Sequence, residues 1–249
     1  MIEFTRDELF DIAKSLKVVK YSSLTKPNLI KAISEKLSKS ATVKDSTKKD
    51  HTHISRHKYT THSQIGNTGK DAKTYLVTDK LGDNYAMKVF KKTKSGKKIA
   101  DEVALQKICA KSGISPSVVD YDTENKFIVM DKMDTHLFDV IKKQAGILTE
   151  TQQKQVIRLF KVLDKIHVFH GDANILNYMY KGPKLYIIDF GYGAHIDSAQ
   201  IKKLGTKTPN MEIMLLGFIL KLKDLGCPPQ AYTYLSSYLT PEKKASYNL

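Results

Sequence analysis

Residues 170–177 read His-Gly-Asp-Ala-Asn-Ile-Leu-Asn, and residues 187–191 read Ile-Ile-Asp-Phe-Gly. Asp172 and Asn177 stand five residues apart, and Asp189 follows Asp172 by seventeen. Between Asn177 and Asp189, two apolar runs flank Lys181–Gly182–Pro183–Lys184, the pattern of a hairpin. Such a hairpin returns Asp189 to the side of Asp172 and Asn177. Two carboxylates and an amide oxygen so gathered suit phosphoryl transfer. One carboxylate orients the attacking hydroxyl, while the amide oxygen and the other carboxylate hold magnesium on nucleotide phosphates.

Several elements must position these groups. Residues 84–90, Asn-Tyr-Ala-Met-Lys-Val-Phe, alternate as a strand does. Lys88 is flanked there by core residues and needs an anionic partner, for which the helical run Lys98–Lys111 offers Asp101 and Glu102. Upstream, residues 64–77 read as strand, glycine turn and strand. A Walker A loop is excluded, because Gln64 stands at its first glycine and Asp71 at its Ser or Thr. Residues 115–121 and 126–133 form two more strands around a turn at 123–125. Thr149-x-x-Gln152 caps a long helix carrying Val156, Ile157, Phe160, Leu163 and Ile166, which leads to the His-Gly-Asp loop.

His-Gly-Asp and Asp-Phe-Gly, in this order and spacing, resemble the protein-kinase superfamily, and so does Ala86–Met87–Lys88–Val89. The resemblance covers residues 59–249 and implies an α+β, two-lobed fold. Its N-lobe would span 59–133, and a compact, truncated C-lobe would span 134–249. It implies ATP and Mg2+ as cofactors, with Asp172 as base or hydroxyl-orienting residue and Asn177 and Asp189 as magnesium ligands. Lys88 would hold the α- and β-phosphates. Glu102 becomes its preferred partner, because Glu-Val-Ala-Leu-Gln-Lys-Ile is similar to the family's helix. Ile65, Gly66 and Gly69 would cover the phosphates, with Gly66 at the first glycine of the usual loop, Thr68 at the second and Asp71 at the third. Asp131 to Met133 would meet adenine through their backbone, and Met130 would be the gatekeeper. His170 is expected to be structural, near Asp189.

The departures are as informative as the matches. Gly171 replaces the arginine that pairs with an activation-loop phosphate, so regulation by that switch is not expected. Asn174 stands where Ser/Thr kinases place a phosphate-contacting lysine. Only 58 residues follow Gly191, and about twenty separate it from Glu212–Leu220, which resembles the kinase helix beginning Asp-Val-Trp-Ser-Leu-Gly, with Glu212 at its aspartate. These traits resemble compact atypical kinases: the RIO and KEOPS-complex types, or the minimal kinases of large DNA viruses.

Residues 1–38 read as a separate all-α module: a capping box at Thr5 and Glu8, an extended link, then a helix opened by Pro27. The segment resembles the SAP and Rho-terminator N-terminal helix–extension–helix family. That resemblance implies nucleic-acid binding, with Lys17, Lys20, Lys26 and Lys31 on phosphates; docking to protein is the alternative. Residues 39–58 read as a flexible linker whose His51, His53 and His57 do not make a metal site. The 249 residues carry a net charge of +15, suited to polyanionic partners, with 41% hydrophobic and 27% charged residues. Cys109 and Cys227 lack metal-ligand spacing and read as reduced core thiols. No secretory signal or membrane span is expected, so the reading is an intracellular protein.

Three functions compete: a Ser/Thr protein kinase, a small-molecule kinase of the aminoglycoside or choline type, and a nucleic-acid-tethered scaffold or ATPase switch. The intact Asp-Phe-Gly and the Lys88 strand favour the first over the second. Retention of Lys88, Glu102, Asp172, Asn177 and Asp189 favours the first over the third.

Overall fold

The alternation in residues 84–90 decides how the larger part of the chain is built. The computed structural model describes residues 24–29, 31–32, 58–66 and 69–249. The chain divides into two compact units, residues 1–51 and 52–249. In the first, residues 26–29 and 31–32 are helical, Leu29 is buried, and Lys26 and Lys31 are exposed. The remainder of the expected 1–38 module, including Lys17 and Lys20, lies outside the described residues, as do the linker histidines.

The second unit mixes helix and strand. Strands β1 (Thr60–Gln64), β2 (Ala72–Thr78), β3 (Asn84–Phe90), β4 (Val118–Asp122) and β5 (Phe127–Asp131) form an antiparallel sheet in the order β1-β2-β3-β5-β4. Strand β3 lies at its centre, with Lys88 opposite Thr74 on β2 and Ile128 on β5. Because strand side chains alternate, Ala86, Lys88 and Phe90 share one face. Ala86 and Phe90 pack there with Ile99 and Val103 of helix α1 (Gly96–Lys111), while Met87 packs with Val77, Phe127 and Val129. Each fully buried aliphatic side chain of this kind contributes about 1.5–3 kcal/mol. Lys88 therefore points toward the helix whatever its charge.

Helix α1 starts two residues earlier than its apolar pattern predicts, at Gly96, because the Ser95 hydroxyl accepts the Lys98 N–H. Its buried stripe, Ile99, Glu102, Val103 and Gln106, follows the i, i+3, i+4, i+7 rule with a carboxylate in the middle. Strand β5 stops at Asp131, two residues short of the expected run.

The rest of the unit is mainly helical. After β6 (Thr135–His136) and α2 (Leu137–Lys143) comes α3 (Glu150–Lys165). Its capping box forms as the Thr149-x-x-Gln152 pattern predicts, with reciprocal bonds at 2.8 and 3.3 Å. Strand β7 (Val168–Phe169) then leads to a 3₁₀ turn at Ile175–Asn177 and the hairpin β8 (Tyr178–Lys181) and β9 (Lys184–Ile187). Strand β10 (Ala194–His195) pairs with β7 and is followed by α4 (Ser198–Leu204). A π-type turn, Asn210–Met214, opens α5 (Leu215–Asp224), and the short helices α6 (Thr233–Ser236) and α7 (Pro241–Tyr247) close the chain. Phe160 of α3, Tyr178 of β8 and Phe218 of α5 meet edge to face at centroid distances of 4.9–6.3 Å. This core sits directly beneath the His-Gly-Asp loop.

Cys109 and Cys227 are buried free thiols, and burial pushes the Cys109 thiol up to about 12. Among the described residues no helix is long and apolar enough to cross a membrane.

Candidate active site

Lys88 leaves the centre of the sheet and meets two carboxylates. Its Nζ donates to Glu102 Oε1 at 2.6 Å and to Asp189 Oδ1 at 2.8 Å. The bond to Asp189 spans 101 residues of sequence and ties the sheet to the Asp-Phe-Gly segment. Asp101, the rival partner, is exposed. Burial works against the charge on Lys88, but Glu102 and Asp189 hold its pKa above lysine's ordinary value. Burial pushes the Glu102 carboxyl up, with Lys88 acting in the opposite sense. Burial also opposes ionisation of Asp189, yet the charge and hydrogen bond of Lys88 and the Gly191 N–H hold it below the usual carboxylate value.

Asp189 itself has φ +66°, a left-handed conformation costing a residue with a side chain about 1–2 kcal/mol. Hairpin β8–β9 brings it there: the Ile188 N–H, one residue earlier, donates to the Asn177 carbonyl at 2.9 Å. Asn177 is 7% exposed and donates through Nδ2 to Asp172 Oδ2 at 2.9 Å. The other oxygen of Asp172 accepts the Asn174 N–H at 3.0 Å. With its NH2 group committed to Asp172, Asn177 keeps Oδ1 for a cation. One amide oxygen and one carboxylate, completed by phosphate oxygens, form a donor set that Mg2+ accepts. Among the described residues, no group of three His, Cys, Asp or Glu side chains gathers as a metal site.

Residue 171 strongly favours glycine. Its φ is +77°, and a Cβ there would lie 2.5 Å from the Tyr192 carbonyl oxygen. The arginine of the resembling family has no room. Asn174, in place of the family's lysine, is exposed, and its Oδ1 accepts the Leu176 N–H at 3.1 Å. His170 is fully buried, with Nε2 2.9 Å from the Ile188 carbonyl, Nδ1 3.1 Å from the Asp172 carbonyl, and its ring edge-on to Phe190. Burial lowers its pKa below the ordinary imidazole value. It braces the loop from both ends.

Two residues that the sequence reading passed over hold this loop from behind. Asn210 is fully buried, and its Oδ1 accepts the His170 N–H at 3.2 Å. Its Nδ2 donates to Asp164 Oδ1 at 2.7 Å and to the Val168 carbonyl at 2.8 Å. Asp164, on α3, also accepts the N–H groups of Asn210 and Met211, each at 3.0 Å. Burial raises the Asp164 pKa, while these bonds oppose the shift. Glu212, at the aspartate of the resembling helix, points outward and accepts from the Thr206 and Thr208 hydroxyls. The π-type turn sets Asn210 inward and Glu212 outward. An apolar residue on either side of Asn210 and a lone buried acid on α3 were the only signals available.

The expected nucleotide-binding positions gather less tightly. Ile65 packs against the cluster of Ala86 and Phe90, Gly66 is left-handed and exposed, and Gly69 is exposed. Met130 and Met133 are buried, at 8% and 7% exposure, and the Met130 sulfur accepts from Gln106. The Asp131 N–H donates to the Ser117 carbonyl, so Asp131 has less to offer an adenine edge than expected.

No family model matches the chain. Over 88 residues, 35% of its length, the chain is 33% identical to a probable bifunctional tRNA threonylcarbamoyladenosine biosynthesis protein of Methanobrevibacter smithii, of which 15% is covered. Over 151 residues, 57% of its length, it is 26% identical to a probable serine/threonine-protein kinase of Dictyostelium discoideum, of which 29% is covered. The matched stretch therefore spans less than a third of either relative. These distant likenesses support a kinase-like superfamily and no finer assignment.

Proposed function

We propose that residues 59–249 form a compact two-lobed kinase that transfers the γ-phosphate of ATP, with Mg2+, to Ser or Thr of a protein. In this reading the sheet with α1 is the smaller lobe, and residues 134–249 are the larger, truncated one. One observation carries the proposal: Lys88 joins Glu102 to Asp189 while Asn177 joins Asp172, and the Ile188 N–H to Asn177 carbonyl bond holds these two sets of chemically suited groups on neighbouring segments. Lys88 would hold the phosphates, positioned by Glu102. Asp172, kept in place by Asn177 and the Asn174 N–H, would orient the hydroxyl and receive its proton. Asn177 and Asp189 would hold Mg2+, which when bound neutralises charge on the transferring phosphoryl group. Residues 1–38 would bring the enzyme to nucleic acid through their lysines.

The test follows labelled γ-phosphate from MgATP into basic and acidic proteins, comparing the wild type with Asp172→Ala and Asp189→Ala. Transfer to Ser or Thr that both substitutions abolish is expected. Phosphate released only to water would overturn protein phosphorylation in favour of an ATPase switch. That second reading has its own support, since Asn174, an amide bonded to the Leu176 N–H, supplies no cation toward a protein substrate. Deleting residues 1–38 should abolish salt-sensitive DNA binding; binding that survives the deletion would assign that module another role.

A further inference from the structure

Lys94 has no counterpart in the resemblance, yet its ammonium lies in the same ionic cluster. It is carried by the loop between β3 and α1, and its side chain is 10% exposed. Nζ stands 3.9 Å from Glu102 Oε2 and 3.9 Å from Asp71 Oδ2. Glu102 Oε2 is buried and accepts no hydrogen bond, and Lys94 places a second cation 3.9 Å from it. The Phe90 ring supports both ammonium groups, at 5.1 Å from Lys88 and 5.6 Å from Lys94. A Cβ on Gly191 would come within 3.2 Å of Asp189 Oδ1, 3.4 Å of Glu102 Oε2 and 3.6 Å of Lys94 Nζ. Lys94 thus stands beside the Asp-Phe-Gly segment together with Lys88.

Asp71 makes this placement consequential. It stands at the third glycine position of the turn that would cover a polyphosphate, and its own carbonyl accepts the Lys91 N–H at 2.9 Å. With Lys94, Thr93, Ser95 and Lys98 it lines a cavity of about 280 Å³. Asp71, Glu102 and Asp189 set three carboxylates against Lys88 and Lys94, with the exposed Lys98 on the cavity wall, so the turn offers a polyphosphate little surplus positive charge. We propose that Lys94 is a positioning residue for the nucleotide: it screens Asp71 and Glu102, which lets a polyphosphate lie beside Asp71 despite its carboxylate. Lys94 replaces by charge what the missing glycine supplied by smallness.

The inference rests on the reading of this site as a nucleotide site. Removing Lys94 adds one uncompensated negative charge beside the phosphates, which corresponds to roughly a tenfold loss of affinity. MgATP binding by a fluorescent analogue, and KM and kcat for phosphate transfer, would be measured for wild type, Lys94→Met, Lys94→Arg, Asp71→Asn and the Lys94→Met/Asp71→Asn double variant. Lys94→Met should raise Kd and KM about tenfold with kcat changed far less, Lys94→Arg should retain wild-type values, and the double variant should recover most of the loss. Asp71→Asn alone should bind nucleotide at least as tightly as the wild type, and this exposed turn position tests the idea even where Lys94→Met folds poorly. Unchanged binding in Lys94→Met, or weakened binding in Asp71→Asn, overturns the inference and leaves the kinase reading intact. A wild-type protein that binds no nucleotide overturns the kinase reading and this inference together.

Discussion

Around Lys88, two largely buried lysines face three carboxylates, whereas a few residues away the loop from His170 to Asn177 is held mainly by amide, imidazole and backbone hydrogen bonds, with Asp164 as a buried anchor. The charged cluster is strong but conditional, since each member keeps its ionisation state only while its partner is present. The loop is less conditional. Its groups are satisfied one by one, and losing one orphans only the atoms it touched. A site that must admit a charged ligand on one side and keep a hydroxyl-orienting carboxylate fixed on the other is well served by this division.

The largest expected effect comes from breaking the charged side. Lys88→Met leaves Glu102, 2% exposed, without its hydrogen-bonded cation, and should cost about 3–5 kcal/mol in urea unfolding as well as abolishing transfer. The pH dependence sharpens the point. The folded-state pKa of Glu102 is raised by burial, and more so once Lys88 is gone. The folded variant then binds a proton that the unfolded chain, near the ordinary glutamate value, does not. The deficit should therefore shrink as pH falls from 7 toward 5, and a deficit independent of pH would contradict a buried carboxylate.

Next in size are breaks on the hydrogen-bonded side. Asn210→Ala orphans the His170 N–H and part of the Asp164 carboxylate, with an expected loss of about 1–3 kcal/mol by the same measurement. Gly171→Ala should cost a similar amount, about 1–3 kcal/mol, because the left-handed backbone and the Tyr192 carbonyl both resist a Cβ.

A smaller effect belongs to His170. Burial lowers its pKa, so below the ordinary histidine value the unfolded chain takes up a proton that the folded chain refuses. Stability should fall as pH drops below about 6.5, and a His170→Gln variant should show a shallower fall in parallel thermal melts. The smallest effect calibrates the rest. Glu150 and Lys154 on α3 pair at 2.7 Å, almost the Lys88–Glu102 distance, but are 65% and 55% exposed. Glu150→Ala should leave the unfolding midpoint unmoved within error. Distance alone does not make an ion pair matter.

What the sequence made legible follows the same division. Local patterns were read directly: the capping box at Thr149, the hairpin over Lys181–Lys184, the alternation that put Lys88 on the helix face of β3. Each is encoded within a few residues by periodicity or turn chemistry. The pairing of Lys88 with Glu102 followed from a family phrase on α1, and from the need of a half-buried lysine for an anion. The Asn210–Asp164 anchor was not legible, because its partners lie 46 residues apart and neither sits in a local pattern. The resembling phrase drew attention to Glu212, whereas the π-type turn leaves Glu212 exposed and buries Asn210, two residues earlier. Lys94 was hidden among neighbouring lysines, with nothing in its spacing to distinguish the one that turns inward.

The missing side chain of Gly217 has a mechanical consequence. A Cβ there would lie 2.9 Å from the Ala173 Cβ, so α5 and the residue after Asp172 run in contact without an intervening side chain. Such a seam has no slack, and the loop cannot flutter independently of the helix. Local opening around Asp172 requires the first turn of α5 to lift away from Phe160 and Tyr178, so amide exchange at Ala173 should report the opening of that helix rather than of a surface loop.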